Sequence, residues 1–168
     1  TKAADANYNV ASATVNVTVG QANQATLTAT ATLASIFFNA TSALSTTGGS
    51  GTGTVSFAVT AGNTFCSVTG TTLTGTGVGT CTVTATKAAD ANYNAATATV
   101  NVSVSKANQT ITNFTPTTPV VFGAAAQTLT ATPGASGSAL VFSVSSGPCA
   151  ITGTSLSYTG TGNCVVVV

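Results

Sequence analysis

Apolar and polar residues alternate with a period of two through most of this chain, the pattern of strands with one buried face. In Ala98-Thr-Val-Asn-Val-Ser-Val104, the side chains of Val100, Val102 and Val104 share one face, and Asn101 and Ser103 share the other. Val55, Phe57 and Val59 alternate with Ser56 and Ala58, and Leu140, Phe142 and Val144 form the same pattern further on. Cys81, Val83 and Ala85 fall on one face, as do Cys66 and Val68. Gly- and Thr-rich stretches such as Thr47–Gly53 and Gly75–Gly79 separate these segments, where glycine and short polar residues favour turns. No segment has helical periodicity, and Ala3–Ala6 is too short to nucleate a helix.

The pattern occurs twice. Residues 1–24 match residues 86–109 at nineteen of twenty-four positions, at an offset of 85. The match continues more weakly through Phe57 with Phe142, Val59 with Val144 and Gly62 with Gly147. Two residues then drop out, and at an offset of 83 Val68 aligns with Ile151, Leu73 with Leu156 and Cys81 with Cys164. A period near 84 residues is too long for a solenoid repeat and suits a small autonomous domain. In the second repeat the pattern predicts strands at Gln109–Phe114, Val120–Phe122, Gln127–Thr132, Ala139–Ser145, Cys149–Thr152, Ser155–Tyr158 and Asn163–Val168. Six or seven short strands with close turn signals in one repeat predict an all-β fold, a β-sandwich.

The two ends of the sequence read on from one another. Cys164-Val-Val-Val-Val168 followed by Thr1-Lys-Ala-Ala-Asp5 parallels Cys81-Thr-Val-Thr-Ala85 followed by Thr86-Lys-Ala-Ala-Asp90. The expected organisation is therefore circularly offset. Residues 1–20 are the closing loop and last strand of a preceding domain, 21–105 a complete domain, and 106–168 a domain without its last strand. The residues expected to complete a sandwich between copies are Ala13, Thr14, Val15, Asn16, Val17, Thr18 and Val19 on one side. On the other are Cys164, Val165, Val166, Val167 and Val168.

Composition narrows the chemistry. The chain has no His, Glu, Arg, Trp or Met; its acids are Asp5 and Asp90, and its bases are Lys2, Lys87 and Lys106. One Asp per repeat supplies neither a carboxylate pair nor a catalytic triad, so no enzyme activity and no catalytic residue is expected. Metal and cofactor sites are not expected, because the clustered ligands they need are missing. Three lysines cannot track a phosphate backbone, which argues against nucleic acid as a partner. No apolar run reaches the length of a membrane span, so membrane insertion is not expected. With 43% hydrophobic residues the chain should fold despite only 3% charged residues. Four cysteines form two pairs, Cys66/Cys81 and Cys149/Cys164, each fifteen residues apart. The recurring spacing points to one disulfide per repeat and an oxidising compartment; the alternative is four buried free thiols.

The stretch Gly79-Thr-Cys-Thr-Val-Thr-Ala-Thr-Lys-Ala-Ala-Asp-Ala-Asn-Tyr-Asn-Ala-Ala-Thr-Ala-Thr-Val-Asn-Val-Ser-Val104 resembles bacterial immunoglobulin-like repeats. Lys106-Ala-Asn-Gln-Thr-Ile111 is similar to the usual start of the next such repeat. The resemblance implies tandem Ig-like sandwiches in a long cell-surface or secreted protein, serving as stalk, spacer or fibre, with no catalytic residues.

Further residues carry smaller expectations. Tyr8 and Tyr93, in Asp-Ala-Asn-Tyr-Asn, read as aromatic plugs at a sandwich end, and Lys87 with Asp90 as a local ion pair. Asn16, Asn39, Asn101, Asn108 and Asn113 begin Asn-X-Ser/Thr sequons and are candidate glycosylation sites, with Asn16 and Asn101 outward by strand parity. Strand edges with almost no charge invite pairing with other chains. The expected function is a structural repeat of an extracellular filament or surface stalk, with copies of itself as partners, head-to-tail and laterally. The alternative is an adhesin module binding glycan or host protein through its loops.

Overall fold

The structure is a computed structural model that describes all 168 residues. It is all-β and divides into two compact units, Thr1–Ala107 and Asn108–Val168.

The first unit holds β1 (Leu27–Ala31), β2 (Ser35–Phe37), β3 (Thr41–Gly48), β4 (Val55–Ala61), β5 (Cys66–Thr69), β6 (Thr72–Gly75), β7 (Gly79–Lys87) and β8 (Ala96–Ser105). They form two sheets, ordered β1-β3-β6-β5 and β2-β8-β7-β4. All pairings are antiparallel except β2 with β8. The sheets face one another across a core of Ile36, Cys81, Val83, Val102 and Val104 from one and Leu44, Cys66 and Leu73 from the other. Alternation explains this arrangement. Successive side chains point to opposite faces, so in β3 and β5–β8 the inward apolar residues are followed by an outward Thr, Ser or Asn. Leu73, Val83 and Val102 are fully buried, each contributing about 1.5–3 kcal/mol relative to exposure. The outward hydroxyls pair across strands, as where Thr82 Oγ1 donates to Asn101 Oδ1 at 2.8 Å.

The second unit holds β9 (Gln127–Thr128), β10 (Ser143–Ser146), β11 (Cys149–Thr152), β12 (Ser155–Tyr158) and β13 (Val165–Val167), in sheets β11-β12-β9 and β10-β13. Its smaller core is built on Leu129, Phe142 and Leu156, with the Phe114 ring 5.7 Å from that of Phe142. One local device recurs in both units. The β4–β7 register slips between Val59 and Ala61, and the β10–β13 register slips between the equivalent Val144 and Ser146. A positive-φ glycine follows each bulge, Gly62 at +74° and Gly147 at +102°. A Cβ on Gly62 would stand 2.5 Å from the Thr80 carbonyl oxygen, so only glycine lets this turn approach β7.

Several strands expected in the second unit are shorter or absent. Gln109–Phe114 retains only a bridge from Thr112 to Thr132. Gln127–Thr132 shrinks to β9 plus that bridge, Ala139–Ser145 is replaced by Ser143–Ser146, and Asn163–Val168 by Val165–Val167. Val120–Phe122 forms no strand. Its equivalent, β2, exists by pairing with β8, and no strand stands beside Val120–Phe122 to play that part. Pro116 and Pro119 precede the segment and remove backbone donors.

Candidate functional site

β7 is an interior strand in the first unit. Against β4 it pairs from Val55↔Lys87 to Ala61↔Thr82, and against β8 from Gly79↔Val104 to Lys87↔Ala96. β13 is its sequence equivalent in the second unit, yet it pairs with β10 alone. A groove of about 440 Å³ lies beside β13, lined among others by Val120, Phe122, Leu156, Tyr158, Cys164 and Val166. The sequence equivalents of Val120–Phe122 and Cys164–Val166 in the first unit are Ser35–Phe37 and Cys81–Val83. Those two segments are bridged by β8, so the groove holds the place that β8 fills in the first unit.

The segment most like β8 is Ala11–Gly20, and it forms no regular strand. Val17 and Val19 are 79% and 88% exposed, whereas their equivalents Val102 and Val104 are 0% and 3% exposed. On the groove side Val121 is 77% exposed, against 4% for its equivalent Ile36. The residues expected to join copies, Ala13–Val19 and Cys164–Val168, are thus an unpaired segment and a one-sided strand.

The turn before each β8-type segment is built locally. Asp90 Oδ1 accepts from the backbone N–H groups of Asn92 and Tyr93, both at 2.9 Å, and Asp90 N donates to the Tyr93 carbonyl at 3.0 Å. Asp5 repeats all three bonds with Asn7 and Tyr8, at 2.8, 2.8 and 2.9 Å. The bridge Lys2↔Ala11 likewise repeats Lys87↔Ala96. What differs is the surroundings. Asp90 Oδ2 also accepts from Thr52 N at 2.6 Å and Thr52 Oγ1 at 3.2 Å, which docks the turn on the β3–β4 loop. The carboxylate of Asp90 is therefore engaged by backbone and hydroxyl donors, in place of the expected local pair with Lys87. Donation from the Asn92 backbone, followed by that of Thr52, holds the Asp90 carboxyl below the ordinary aspartate range. Tyr93 is half-buried at this junction, while Tyr8 is exposed.

Gln24 completes the dock. Its Nε2 donates to the carbonyls of Asn94 at 2.9 Å and Ala88 at 3.3 Å, and its Oε1 accepts from Gly51 N at 3.4 Å. The equivalent Gln109 accepts from Ser136 N at 3.2 Å, the residue equivalent to Gly51, and its Nε2 is left without a partner in the chain. Simple alternation would not single out either glutamine. The exact recurrence of Ala-Asn-Gln at positions 22–24 and 107–109 was the available signal.

Both expected disulfides form. Cys66–Cys81 links β5 to β7 across the two sheets and is fully buried, whereas Cys149–Cys164 is half-buried beside the open edge. Two disulfides point to an oxidising compartment, extracellular or periplasmic. Asn16, Asn39, Asn101, Asn108 and Asn113 are all exposed; Asn113 Nδ2 donates to Thr132 Oγ1 at 2.9 Å. No group of three His, Cys, Asp or Glu side chains is placed to hold a metal ion, and no helix is long and apolar enough to cross a membrane. Comparison with protein-family models, curated proteins and solved structures gives no match.

Proposed function

We propose that this chain is a structural repeat of an extracellular filament or surface stalk, made of tandem Ig-like β-sandwiches that join head-to-tail. Its main support is the coexistence of a groove shaped by the absence of a β8-type strand with an exposed segment that is nearly the sequence of β8. A sandwich is closed only when its final strand lies between the β2-type and β7-type segments. Each repeat in such an array therefore depends on its neighbour, and load is carried through a full backbone ladder. The disulfide in each sandwich closes a loop of fifteen residues, contributing about 3 kcal/mol in the chain-entropy model. A surface of Thr, Ser and Asn with 3% charge lets neighbouring fibres approach without charge repulsion.

Electron microscopy of native material, paired with denaturing and reducing electrophoresis, tests this. Long thin fibres or stalks are expected. A covalent array gives a band of very high mass, and strand-joined subunits give a band near 16.1 kDa. Native material that is globular and monodisperse at 16.1 kDa sinks the proposal.

A further inference from the structure

We infer that the groove beside β13 is occupied by Ala11–Gly20 of a second copy of this sequence, in a single register; this deepens the filament reading and rests on it. The register follows from β8. Gly79↔Val104, Cys81↔Val102 and Val83↔Val100 become Gly162↔Val19, Cys164↔Val17 and Val166↔Val15. On the other side, Ser35↔Ser103 and Ile36↔Val104 become Val120↔Thr18 and Val121↔Val19. Three observations independent of the β-pattern agree. The valines to be buried, Val15, Val17 and Val19, are exposed on the free segment, and Val121 and Phe122 are exposed on the groove. The closing turn of the incoming segment is preformed, through the Asp5 bonds and the Lys2↔Ala11 bridge. Gln109 already holds the Ser136 N–H as Gln24 holds Gly51, and its free Nε2 is left for the carbonyls of Ala3 and Asn9 of the second copy, the equivalents of Ala88 and Asn94. A one-residue slip would turn the valines outward and Asn16 and Thr18 into the core, so burial selects one register.

Occupancy has a second consequence. Val17 of the second copy would lie opposite Cys164, as Val102 lies opposite the fully buried Cys81. The half-buried Cys149–Cys164 disulfide then becomes as sheltered as Cys66–Cys81.

The test uses the full 168-residue chain with one outward-facing cysteine on each side. Val165 and Asn16 are the equivalents of the paired Thr82 and Asn101. The double variant Val165→Cys with Asn16→Cys should oxidise to a ladder of covalent oligomers on non-reducing gels. Val165→Cys with Thr14→Cys, or with Thr18→Cys, should give at least tenfold less. Equal ladders from the shifted pairs overturn the register. A cross-link confined within single chains, identified by peptide mass spectrometry, overturns the second copy as occupant. Because Val17 lies outside the core of the first unit, Val17→Asp added to the Asn16/Val165 pair should abolish the ladder while leaving the circular dichroism unchanged; a persisting ladder also overturns the proposal. Native fibres with no Asn16–Val165 ladder would remove this interface and leave the filament reading standing. Monomeric native material alongside a ladder would do the reverse.

Discussion

Ala96–Ser105 and Ala11–Gly20 are nearly the same sequence in opposite surroundings. The first is β8, the interior strand that closes a sandwich; the second forms no regular strand beyond the bridge from Ala11 to Lys2, and its valines are in solvent. Their turns have the same hydrogen bonds, so the local instructions are obeyed equally in both. The difference lies in what stands alongside. β8 has a strand on each side and a second sheet facing Val102 and Val104, while Ala11–Gly20 has neither. A β-strand is completed by its neighbours, because its backbone donors and its apolar face are both satisfied from outside the segment.

Breaking the comparison at its most buried point should give the largest effect. Val102→Asp places a carboxylate in the core with no partner and should unfold the first unit, a loss of about 4 kcal/mol or more. Val17→Asp, the same change in the free segment, should shift the stability of the isolated chain by no more than about 0.5 kcal/mol. Urea unfolding followed by circular dichroism measures both. Equal losses would mean that Ala11–Gly20 is packed in solution.

Removing a covalent tie comes next. Cys66→Ala with Cys81→Ala should cost about 3 kcal/mol, read as a lower urea midpoint. The two disulfides should also separate kinetically. Timed reduction with dithiothreitol and alkylation should label Cys149 and Cys164 before Cys66 and Cys81, since the latter are buried. Adding a peptide of residues 1–20 in excess should slow labelling of Cys149 and Cys164 and leave Cys66 and Cys81 unchanged.

Gly62→Ala tests the shared bulge. It places a Cβ against the Thr80 carbonyl at a φ of +74° and should cost about 1–3 kcal/mol by thermal unfolding. The smallest effect expected is the docking of the Asp90 turn. The Asp90 pKa is lowered in the folded state, so this carboxylate contributes stability above its unfolded pKa of about 4 that is lost as the pH falls through the lower folded value. Asp90→Asn should flatten the acid limb of the stability profile and leave its neutral-pH shape unchanged. An unaltered acid limb would mean that the Thr52 and Asn92 contacts do not hold in solution.

The strand pattern was most legible where alternation is strict and both neighbours are present. Cys81–Ala85 and Ala98–Val104 lie within interior strands with Cys81, Val83, Val102 and Val104 buried, whereas Val55–Val59 lies on the edge strand β4, with Phe57 and Val59 half-buried and Val55 exposed. The cysteine pairing was legible from its equal spacing. Val120–Phe122 and Gln109–Phe114 were not, because their expected strands depended on pairing and they have at most a bridge to pair with. The docking contacts of Gln24 and Asp90 were also hidden, since they join residues twenty-seven to seventy positions apart through loops that alternation does not describe.

By itself, the sequence determined the features that short stretches decide for themselves. These are the inward and outward faces and the Asp-Ala-Asn-Tyr turn, formed with the same three hydrogen bonds at Asp5 and Asp90. Only the tertiary structure decided which of two near-identical segments became a buried strand. Alternation says which face of a strand is apolar, but an apolar face is buried and a ladder is made only when another sheet and another edge are within reach.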